Sequence, residues 1–320
     1  MTRALNQVVI LGGGTAGWLT ASILAAEHGA SLDITLVESP DIPIIGVGEG
    51  TWPSMRTTLQ KIGVSERVLL KECDATFKQG TEFIGWRSES EAHAYYHPFS
   101  LPAEYASLNL AEHWLASSVT SDFCATVTPQ AGVISASRAP KALGVPEFAF
   151  QFNYGYHFDA AKLSVLLRDH AVDALGVTHM LANLTEVEFS SSGEITALTL
   201  DNGTSLSGDV FVDCSGQRGL LIGEAMGVPT VSMGHVLPND RAIATQVPYS
   251  NPDAQIASVT RSTAQASGWI WDIGLQSRRG VGYVHSAAHI SEDEAVSSVL
   301  DYVKHSDEGV DVGQLNVRVI

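Results

Sequence analysis

The chain has 320 residues, a length that suits one large α/β unit or two smaller modules. Apolar residues make up 45%, which excludes a disordered chain, and the net charge of −17 argues against nucleic acid as a partner because an acidic surface repels phosphate. The start lacks a signal peptide, no apolar run reaches the ~18 residues of a membrane helix, and the three cysteines lack metal-ligand spacing, so we expect a cytoplasmic protein without membrane segment or metal.

Residues 7–38 predict one strand–helix–strand unit. "QVVILGG", residues 7–13, is a short β-branched run that ends in glycines, as in a buried strand, and "LDITLVES", residues 32–39, predicts a second strand. Residues 15–28 between them have helical spacing, and Gly29 is the expected helix stop. Because a helical crossover returns the chain in its original direction, the two strands should be parallel.

A G-x-G-x-x-G motif lies between this strand and helix. Its first glycine allows a tight turn, its second lets a pyrophosphate approach the backbone, and its third lets helix and strand pack closely. Glu38 ends the second strand about 20 residues later, where a carboxylate can hold ribose hydroxyls. The motif predicts a dinucleotide site; the alternative is a glycine turn that serves packing alone. The predicted cradle comprises Gly12, Gly14, Thr15, Ala16 and Gly17.

Residues 40–53 are rich in glycine and proline and predict a loop that contains Gly48, followed by a helix from Ser54. Residues 74–154 carry many aromatics, turns and short strand-like runs without alternating strands and helices, so we expect a separate layer there. Within it, "DATFKQGTEFIGW" places Lys78 among aromatic residues, where a lysine is costly to bury. Three interpretations are open for Lys78, namely a surface charge, an ion pair with Glu82, or a reagent.

The second half begins with a predicted helix and a hairpin. "YHFDAAKLSVLLRDHAVDALGV" has helical spacing and places four apolar side chains on one face, Leu163, Leu166, Leu167 and Val172. Residues 195–207 alternate apolar and polar side chains around Asn202-Gly203, a dipeptide that favours a type I′ turn.

The chain then returns to strands. "DVFVDCSG" predicts a buried strand that ends in Asp213 and Gly216, and three more strands follow residue 240 before an amphipathic helix over residues 291–305. A late strand that returns to the nucleotide is typical of flavoproteins of the hydroxylase type, so FAD is favoured over NAD. A strand-end cap is the alternative role for Asp213.

Seven segments together resemble the flavin-dependent tryptophan halogenase family. They are "VVILGGGTAGW", "GVGEGTWP", "FKQGTEFIGW", "YYHPF", "YHFDAAKL", "FVDCSGQRGLLI" and "GWIWDIGL" with the "GVGYVHS" that follows it. The last resembles the family's W-x-W-x-I-P signature, with Gly274 where the family has proline. The resemblance implies an α/β fold: an FAD-binding, Rossmann-like βαβ core of the monooxygenase or hydroxylase type, with a mixed sheet and an inserted substrate-binding layer.

The resemblance also implies a reaction. Reduced FAD reacts with O2 to give a flavin hydroperoxide, chloride or bromide attacks it, and the hypohalous acid passes to a lysine that matches Lys78. That lysine hydrogen-bonds the acid or forms a haloamine, and an electron-rich arene such as tryptophan or indole takes the halogen. Burial among aromatics would lower the pKa of the Lys78 amine and make either role accessible.

Further residues acquire roles only through the resemblance. His97 and Phe99 would stack on the arene, with a satisfied histidine and a core phenylalanine as the alternative. Trp269 and Trp271 would line the route from flavin to substrate, and ordinary core packing does not exclude that role. Gly48 would touch the flavin, and the backbone of Leu184 would contact adenine. A separate flavin reductase is the implied partner, and a homodimer is allowed.

The expected organisation is one flavoprotein unit, with an FAD-binding core from 1–73 and 155–320 and a substrate-side insert at 74–154. The family continues beyond the point that matches residue 320, and the remainder would carry a catalytic glutamate and the halide site. Two alternative functions are an aromatic hydroxylase that uses the same flavin chemistry and an inactive FAD-binding remnant. These residues do not determine the substrate, the position on it that is halogenated, or the choice between chloride and bromide.

Overall fold

The computed structural model describes residues 5–43, 46–87 and 93–320, and the chain groups into two compact units. The first unit comprises Met1–Ile45, Thr58–Ser65 and Ala160–Ser232, and the second comprises Gly46–Thr57, Glu66–Asp159 and Met233–Ile320. This grouping differs from the expected one because residues 233–320 join residues 66–159, to whose strand at residues 80–84 they are hydrogen-bonded. The assignment of FAD binding to residues 1–73 and 155–320, and of substrate binding to residues 74–154, stays a prediction.

The helices and strands, in chain order, have the following bounds. The α-helices are α1 (Thr15–His28), α2 (Ser54–Ile62), α3 (Glu66–Glu72), α4 (Leu110–Ala116), α5 (Phe123–Val127), α6 (Gln130–Ser135), α7 (Ala160–Asp173) and α8 (Glu292–Ser306). The strands are β1 (Gln7–Leu11), β2 (Asp33–Glu38), β3 (Glu49–Gly50), β4 (Thr76–Lys78), β5 (Gly80–Ile84), β6 (Ala94–Pro98), β7 (Gly155–Phe158), β8 (Thr178–Leu181), β9 (Leu184–Phe189), β10 (Ile195–Leu200), β11 (Ser205–Ser207), β12 (Val210–Asp213), β13 (Arg241–Pro248), β14 (Thr260–Gln265), β15 (Gly268–Gly274), β16 (Arg278–His285) and β17 (Val317–Val319).

The first unit is built on a parallel sheet, in the order β12-β1-β2-β8. Strand β1 is buried from Val8 to Leu11, and helix α1 lies against α7, where the Thr15 and Ser164 hydroxyls are 3.3 Å apart. The predicted βαβ unit, its parallel strands and the helix stop at Gly29 are confirmed. The carboxyl ends of these strands meet at one edge of the sheet, which is where ligands bind in open α/β sheets.

Three details of the first unit correct the predictions. On α7, Leu163 and Leu167 are buried but Val172 is exposed, because Ala171 takes the buried position one residue earlier. The hairpin β10–β11 is present, yet its turn is not type I′: Asn202 lacks a positive φ, whereas Gly203 has φ 81° and donates its N–H to Leu200. Strand β12 is half-buried rather than buried.

The second unit contains a mixed seven-stranded sheet in the order β17-β13-β16-β15-β14-β5-β6, in which only the β14–β5 pairing is parallel. Strands β13, β15 and β16 confirm the three strands predicted after residue 240, whereas β14 and β17 were not predicted. Helix α8 covers one face and buries Ala295, Val299 and Val303 against the strands, each valine contributing about 1.5–3 kcal/mol. A capping box formed by Ser291 and Glu294 begins this amphipathic helix.

A smaller sheet of the second unit, β3-β7-β4, is anchored on one face by buried Glu66. Tyr154 and Tyr156 donate their hydroxyls to one Glu66 oxygen at 2.5 and 2.7 Å, and the Lys141 ammonium lies 2.5 Å from the other. Burial alone would raise the pKa of Glu66, but these donors keep it below its ordinary value. The Phe77 ring packs edge-on against Tyr154 at 5.0 Å. The opposite face of the sheet, which carries the alternate residues, is thereby fixed in place.

Within residues 5–43, 46–87 and 93–320, no helix combines the length and the apolar character needed to cross a bilayer.

Candidate active site

A cavity of about 970 Å³ opens at the carboxyl ends of the first unit's parallel strands. Five of the residues predicted to bind a cofactor line it, namely Gly12, Gly14, Glu38, Leu184 and Gly216. Thr15, Ala16 and Gly17 follow directly in the first turn of α1, and Asp213 precedes the lining residue Cys214. The sheet edge therefore brings together residues up to 204 positions apart in the sequence, from 12 to 216.

The glycines of the motif have the packing roles that were predicted. Gly12 has φ 120°, and a Cβ there would lie 2.1 Å from the Cys214 carbonyl oxygen. A Cβ on Gly17 would lie 1.9 Å from the Gly12 oxygen, so the helix can approach the turn only without a side chain. A Cβ on Gly14 would meet nothing within 4 Å. The backbone is thus crowded at Gly12 and Gly17 and open at Gly14, on the side where a pyrophosphate would lie.

The start of α1 suits a bound anion. Gly14 occupies the N-cap and supplies no side-chain acceptor to the helix, and the first turn contains no acidic residue. The N–H groups of the first turn and the positive end of the helix dipole are therefore available to a phosphate group. With the open space at Gly14, these residues fit the diphosphate of a dinucleotide such as FAD.

Glu38 ends β2 at the cavity wall and has a second neighbour that the sequence did not indicate. Its Oε2 lies 2.8 Å from Nε2 of His179 on β8. The carboxylate also limits Gly13, where a Cβ would lie 2.3 Å from the Glu38 side chain. The pair meets the distance for an ion pair without the geometry of a hydrogen bond, so both buried atoms lack a hydrogen-bond partner among the described residues.

Asp213 has the capping role that was left as the alternative. Its Oδ1 accepts from the N–H and hydroxyl of Ser215 at 3.1 and 2.5 Å, and its Oδ2 accepts from the N–H groups of Leu221 and Ile222 at 2.9 and 3.0 Å. Burial opposes the charged form, yet these donors lower the pKa of Asp213. Asp213 thus shapes the loop that carries Gly216. A direct contact with a cofactor stays a prediction.

Gly48 lies in the second unit rather than along this cavity. It has φ 105° and packs against Gly280 of β16, whose Cα would lie 3.5 Å from an added Cβ. Its proposed contact with a flavin stays a prediction.

Lys78 ends β4 on the face of the small sheet opposite Glu66. Because side chains alternate along a strand, Phe77 points toward the tyrosines and Lys78 points away from them. Among the described residues, Lys78 has no hydrogen-bond or ion-pair partner, and Glu82 instead pairs with Arg261 at 3.2 Å. The Lys78–Glu82 pair, one of the three interpretations, is therefore wrong. Burial lowers the pKa of the Lys78 amine below its ordinary value.

A neutral histidine lies on the same face. His157 on β7 is fully buried, and its Nε2 lies 2.9 Å from the Thr260 hydroxyl. Burial, together with the nearby charge of Lys78, lowers the pKa of His157 to about 3. The His157 ring is therefore neutral near neutral pH and adds no positive charge beside the Lys78 amine.

Aromatic rings border the amine on another side. The Lys78 Nζ lies 5.7 Å from the centroid of the buried Phe99 ring, within the range of a cation–π contact. The Phe99 ring is in turn 5.5 Å from that of Trp52, which is 65% exposed. His97, the other predicted stacking residue, is exposed on β6 opposite Thr81. The structure brings Phe99 to Lys78, and Trp52 is an aromatic neighbour that the predictions did not name.

Trp269 and Trp271 lie on one face of β15, with ring centroids 6.4 Å apart. Trp271 is buried against Gly282, Ala244 and Ile273, so core packing is part of its role. A passage from flavin to lysine stays a prediction for both tryptophans.

Gly274, where the family has proline, ends the same strand. The following turn is held at its Ser277 by Asp74, which accepts from the N–H at 3.0 Å and from the hydroxyl at 2.5 Å. Tyr249 donates its hydroxyl to the Leu275 carbonyl at 2.9 Å. Hydrogen bonds from outside the hairpin therefore restrict a turn that lacks the proline ring.

Four residues near Lys78 were not predicted as site residues: Gly50, Trp52, His157 and Thr260. Gly50 and Trp52 lie in the segment "GVGEGTWP", and His157 lies in "YHFDAAKL". Both segments resemble the family, but nothing in them indicated a role for these residues. Thr260 lies in no quoted segment and reaches the site only through the pairing of β14 with β5.

The chain matches the family model for tryptophan halogenases over residues 7–317. It is 35% identical to tryptophan 6-halogenase SttH from Streptomyces toxytricini, an alignment that covers 99% of this chain and 64% of that protein. A solved tryptophan halogenase from Shewanella frigidimarina is 44% identical with a TM-score of 0.94, and covers 100% of this chain and 63% of that one. Tar14, a tryptophan C-6 flavin-dependent halogenase (chlorinase) from taromycin biosynthesis, is 35% identical with a TM-score of 0.90, over 98% of this chain and 62% of that one.

Nearly the whole chain thus has the fold of flavin-dependent halogenases, which confirms the predicted α/β architecture. The chain belongs to the tryptophan halogenase family, as the resemblance indicated. It spans about three fifths of the length of the relatives that it matches.

Proposed function

We propose that this protein is a flavin-dependent halogenase that places chloride or bromide on an electron-rich arene such as tryptophan or indole. The observation that carries the proposal is the half-buried Lys78 amine, which has no counter-ion among the described residues and lies 5.7 Å from the Phe99 ring. Burial lowers its pKa, and the Phe99 ring in turn contacts that of Trp52. An ion-paired surface lysine would be solvated and charged, whereas this amine can interact with a polar, electrophilic reagent. SttH is a tryptophan 6-halogenase and Tar14 is a flavin-dependent tryptophan C-6 chlorinase, and this chain's similarity to both supports the same reaction.

The cavity of the first unit would hold FAD. The first turn of α1 and the open backbone at Gly14 would bind the diphosphate, Glu38 would accept from the ribose hydroxyls, and the backbone near Leu184 would contact adenine. When bound and reduced, the flavin would supply two of the four electrons that reduce O2, and the halide would supply the other two as it is oxidised. A separate reductase is the proposed source of reduced flavin, and a cytoplasmic homodimer stays a prediction.

Lys78 would direct the oxidised halogen. As an ammonium it donates a hydrogen bond to the oxygen of hypohalous acid, which makes the halogen more electrophilic; as an amine it carries the halogen itself. Burial lowers the pKa of the Lys78 amine, which favours its neutral form more than in a solvated lysine. Phe99 and Trp52 provide ring faces against which a flat arene can pack.

The test is product formation from a panel of indoles, measured by mass spectrometry with FAD, a flavin reductase and chloride or bromide. We expect Lys78→Ala to lower halogenated product at least about 100-fold while FAD binding and flavin oxidation persist. Lys71→Ala is the matched control, because Lys71 is an exposed lysine that pairs with Glu72 in the same unit.

Undiminished halogenation by Lys78→Ala would remove the lysine from the mechanism. Hydroxylated arene in place of halogenated product, with no dependence on halide, would instead identify an aromatic hydroxylase.

A further inference from the structure

Gly50 occupies a position whose backbone does not require glycine. It pairs with His157 in the antiparallel β3–β7 ladder and does not have a left-handed φ, unlike Gly48 two residues earlier with φ 105°. Any residue can adopt an extended strand conformation, and alanine at such a site normally adds no backbone strain. The reason for a glycine here must therefore lie in what surrounds it.

The space beside Gly50 is occupied by the Lys78 amine. A Cβ on Gly50 would lie 2.9 Å from Lys78 Nζ, 3.2 Å from Cδ2 of His157 and 3.3 Å from Oγ1 of Thr260. The two wall atoms belong to residues that hydrogen-bond each other and are buried, so they cannot retreat freely. The amine, by contrast, is the free end of a flexible chain and would be the atom to move.

Strand β7 and the Phe99 ring form the rest of the amine's surroundings. Lys78 is directly opposite Gly155 in the β4–β7 ladder, so no neighbouring side chain on β7 supports or blocks its stem there. The Phe99 ring lies on a further side of the amine at 5.7 Å. Of the titratable groups on the surrounding elements, His157 on β7 faces the amine; Glu82 pairs with Arg261, and Glu49 on β3 accepts from the N–H of Val47.

We propose that Gly50 is a positioning residue for Lys78, whose missing side chain reserves the space in which the amine lies between His157, Thr260 and Phe99. A methyl group at this position would displace the amine from its niche, because the amine moves more easily than the two buried walls. The catalytic consequence rests on the proposed function, whereas the position of the amine does not.

The direct test is the titration of the Lys78 amine in Gly50→Ala, followed through its Cε–H signals by NMR on ¹³C-lysine-labelled protein. Lys78→Arg assigns the signal. In the unsubstituted protein the amine should titrate below the ordinary lysine value, and in Gly50→Ala it should shift upward as the displaced amine becomes hydrated. Gly132→Ala in α6 is the matched control, since a Cβ there meets nothing within 4 Å. An unchanged titration in Gly50→Ala would overturn the proposal.

Activity provides the second readout. Gly50→Ala should lower kcat for halogenated product about 100-fold, as expected when a reacting group moves by about 1 Å, with flavin oxidation and FAD affinity unchanged. The unsubstituted protein could halogenate no arene while the Lys78 titration still shifts in Gly50→Ala. That result would support the positioning role of Gly50 and contradict the proposed function. Full halogenation by Gly50→Ala would overturn the proposal.

A thermodynamic cycle covers the case in which Gly50→Ala is less stable. If the added methyl group meets the amine, any loss of Tm should disappear when Gly50→Ala is made in the Lys78→Ala background, because no amine remains to be displaced. The same loss in both backgrounds would show that the methyl group meets the walls rather than the amine, and would overturn the proposal.

Discussion

The cofactor cavity of the first unit and the lysine niche of the second are built from different materials. The phosphate end of the cavity is formed by backbone atoms, from the turn at Gly12, the start of α1 and the ends of parallel strands. The niche uses side chains from distant segments, such as Lys78, Phe99, His157 and Thr260, and a gap left by Gly50. Backbone N–H groups suit a phosphate, whose shape is the same in every dinucleotide. Side chains around a buried amine, by contrast, can change its pKa.

The difference extends to how each site is stabilised. The positions of the cavity residues are set by the backbone hydrogen bonds of the β12-β1-β2-β8 sheet. Any suitably apolar sequence can form such bonds. The niche shares its small sheet with the buried Glu66 cluster on the opposite face, where removal of the carboxylate would leave two tyrosines and a lysine without this partner. Removing one member of such a buried charged cluster typically costs about 3–5 kcal/mol.

The largest expected effect tests whether the cofactor cavity depends on backbone packing. Gly17→Ala should destabilise the protein by about 1–3 kcal/mol and weaken FAD binding about 100-fold, because its Cβ would lie 1.9 Å from the Gly12 oxygen. Denaturant unfolding and flavin fluorescence measure the two effects. Gly14→Ala is the contrasting variant: its Cβ meets no protein atom, so stability should hold while FAD affinity falls. Equal loss of stability in both would contradict the assigned packing.

The next effect tests the neutral state of the lysine niche. The folded pKa of His157 lies at about 3, below its unfolded value of about 6.5, so the unfolded state binds the extra proton first as the pH falls. The stability from burying the neutral ring is complete above about pH 6.5 and is lost progressively toward pH 3. This amounts to about 2 kcal/mol at pH 5.

His157→Gln provides the comparison, since it keeps a polar atom near Thr260 and removes the titrating ring. The unfolding free energy of the unsubstituted protein should fall by about 2 kcal/mol more between pH 7 and pH 5 than that of the variant, measured by urea denaturation. Parallel pH dependences would mean that His157 is not kept neutral by its burial.

The smallest effect tests how little a side chain contributes to the cofactor cavity. Glu38→Gln keeps the shape of the residue but removes its charge, and should weaken FAD binding only about tenfold through weaker hydrogen bonds to the ribose. Isothermal titration of oxidised FAD gives the affinity. Because Glu38 also contacts His179, the variant's Tm is measured alongside it. An effect as large as that of Gly17→Ala would erase the contrast between the two sites.

The residues of the candidate cofactor cavity were largely predictable because the pattern that brings them together is local in the sequence. The strand, the glycine turn, the helix start and the acid at the end of β2 lie within residues 7–38, and their spacing alone predicts the parallel pairing that the structure has. The wrong predictions in the first unit also concern single positions in the sequence. The turn at Asn202-Gly203 and the exposed Val172 depend on one residue of register, which periodicity does not resolve.

The lysine niche could be predicted only in part. Lys78 and Phe99 were identified through the resemblance, but Gly50, His157 and Thr260 were not, since nothing in their own segments indicates that they share one space. The three choices for Lys78 differ only in its neighbours, and a side chain's neighbours are set by which strands pair.

By itself, the sequence determined the α/β class, the anion-binding turn and the position of the candidate amine, because strand and helix periods, glycine spacing and a charged residue among aromatics are all visible within short windows. Only the tertiary structure decided that Glu82 pairs with Arg261, that Asp213 caps a loop and that a glycine faces the lysine. The physical reason is that the pKa of an amine depends on every group within a few ångströms, and those groups come together here from residues 50 to 260 through strand pairing.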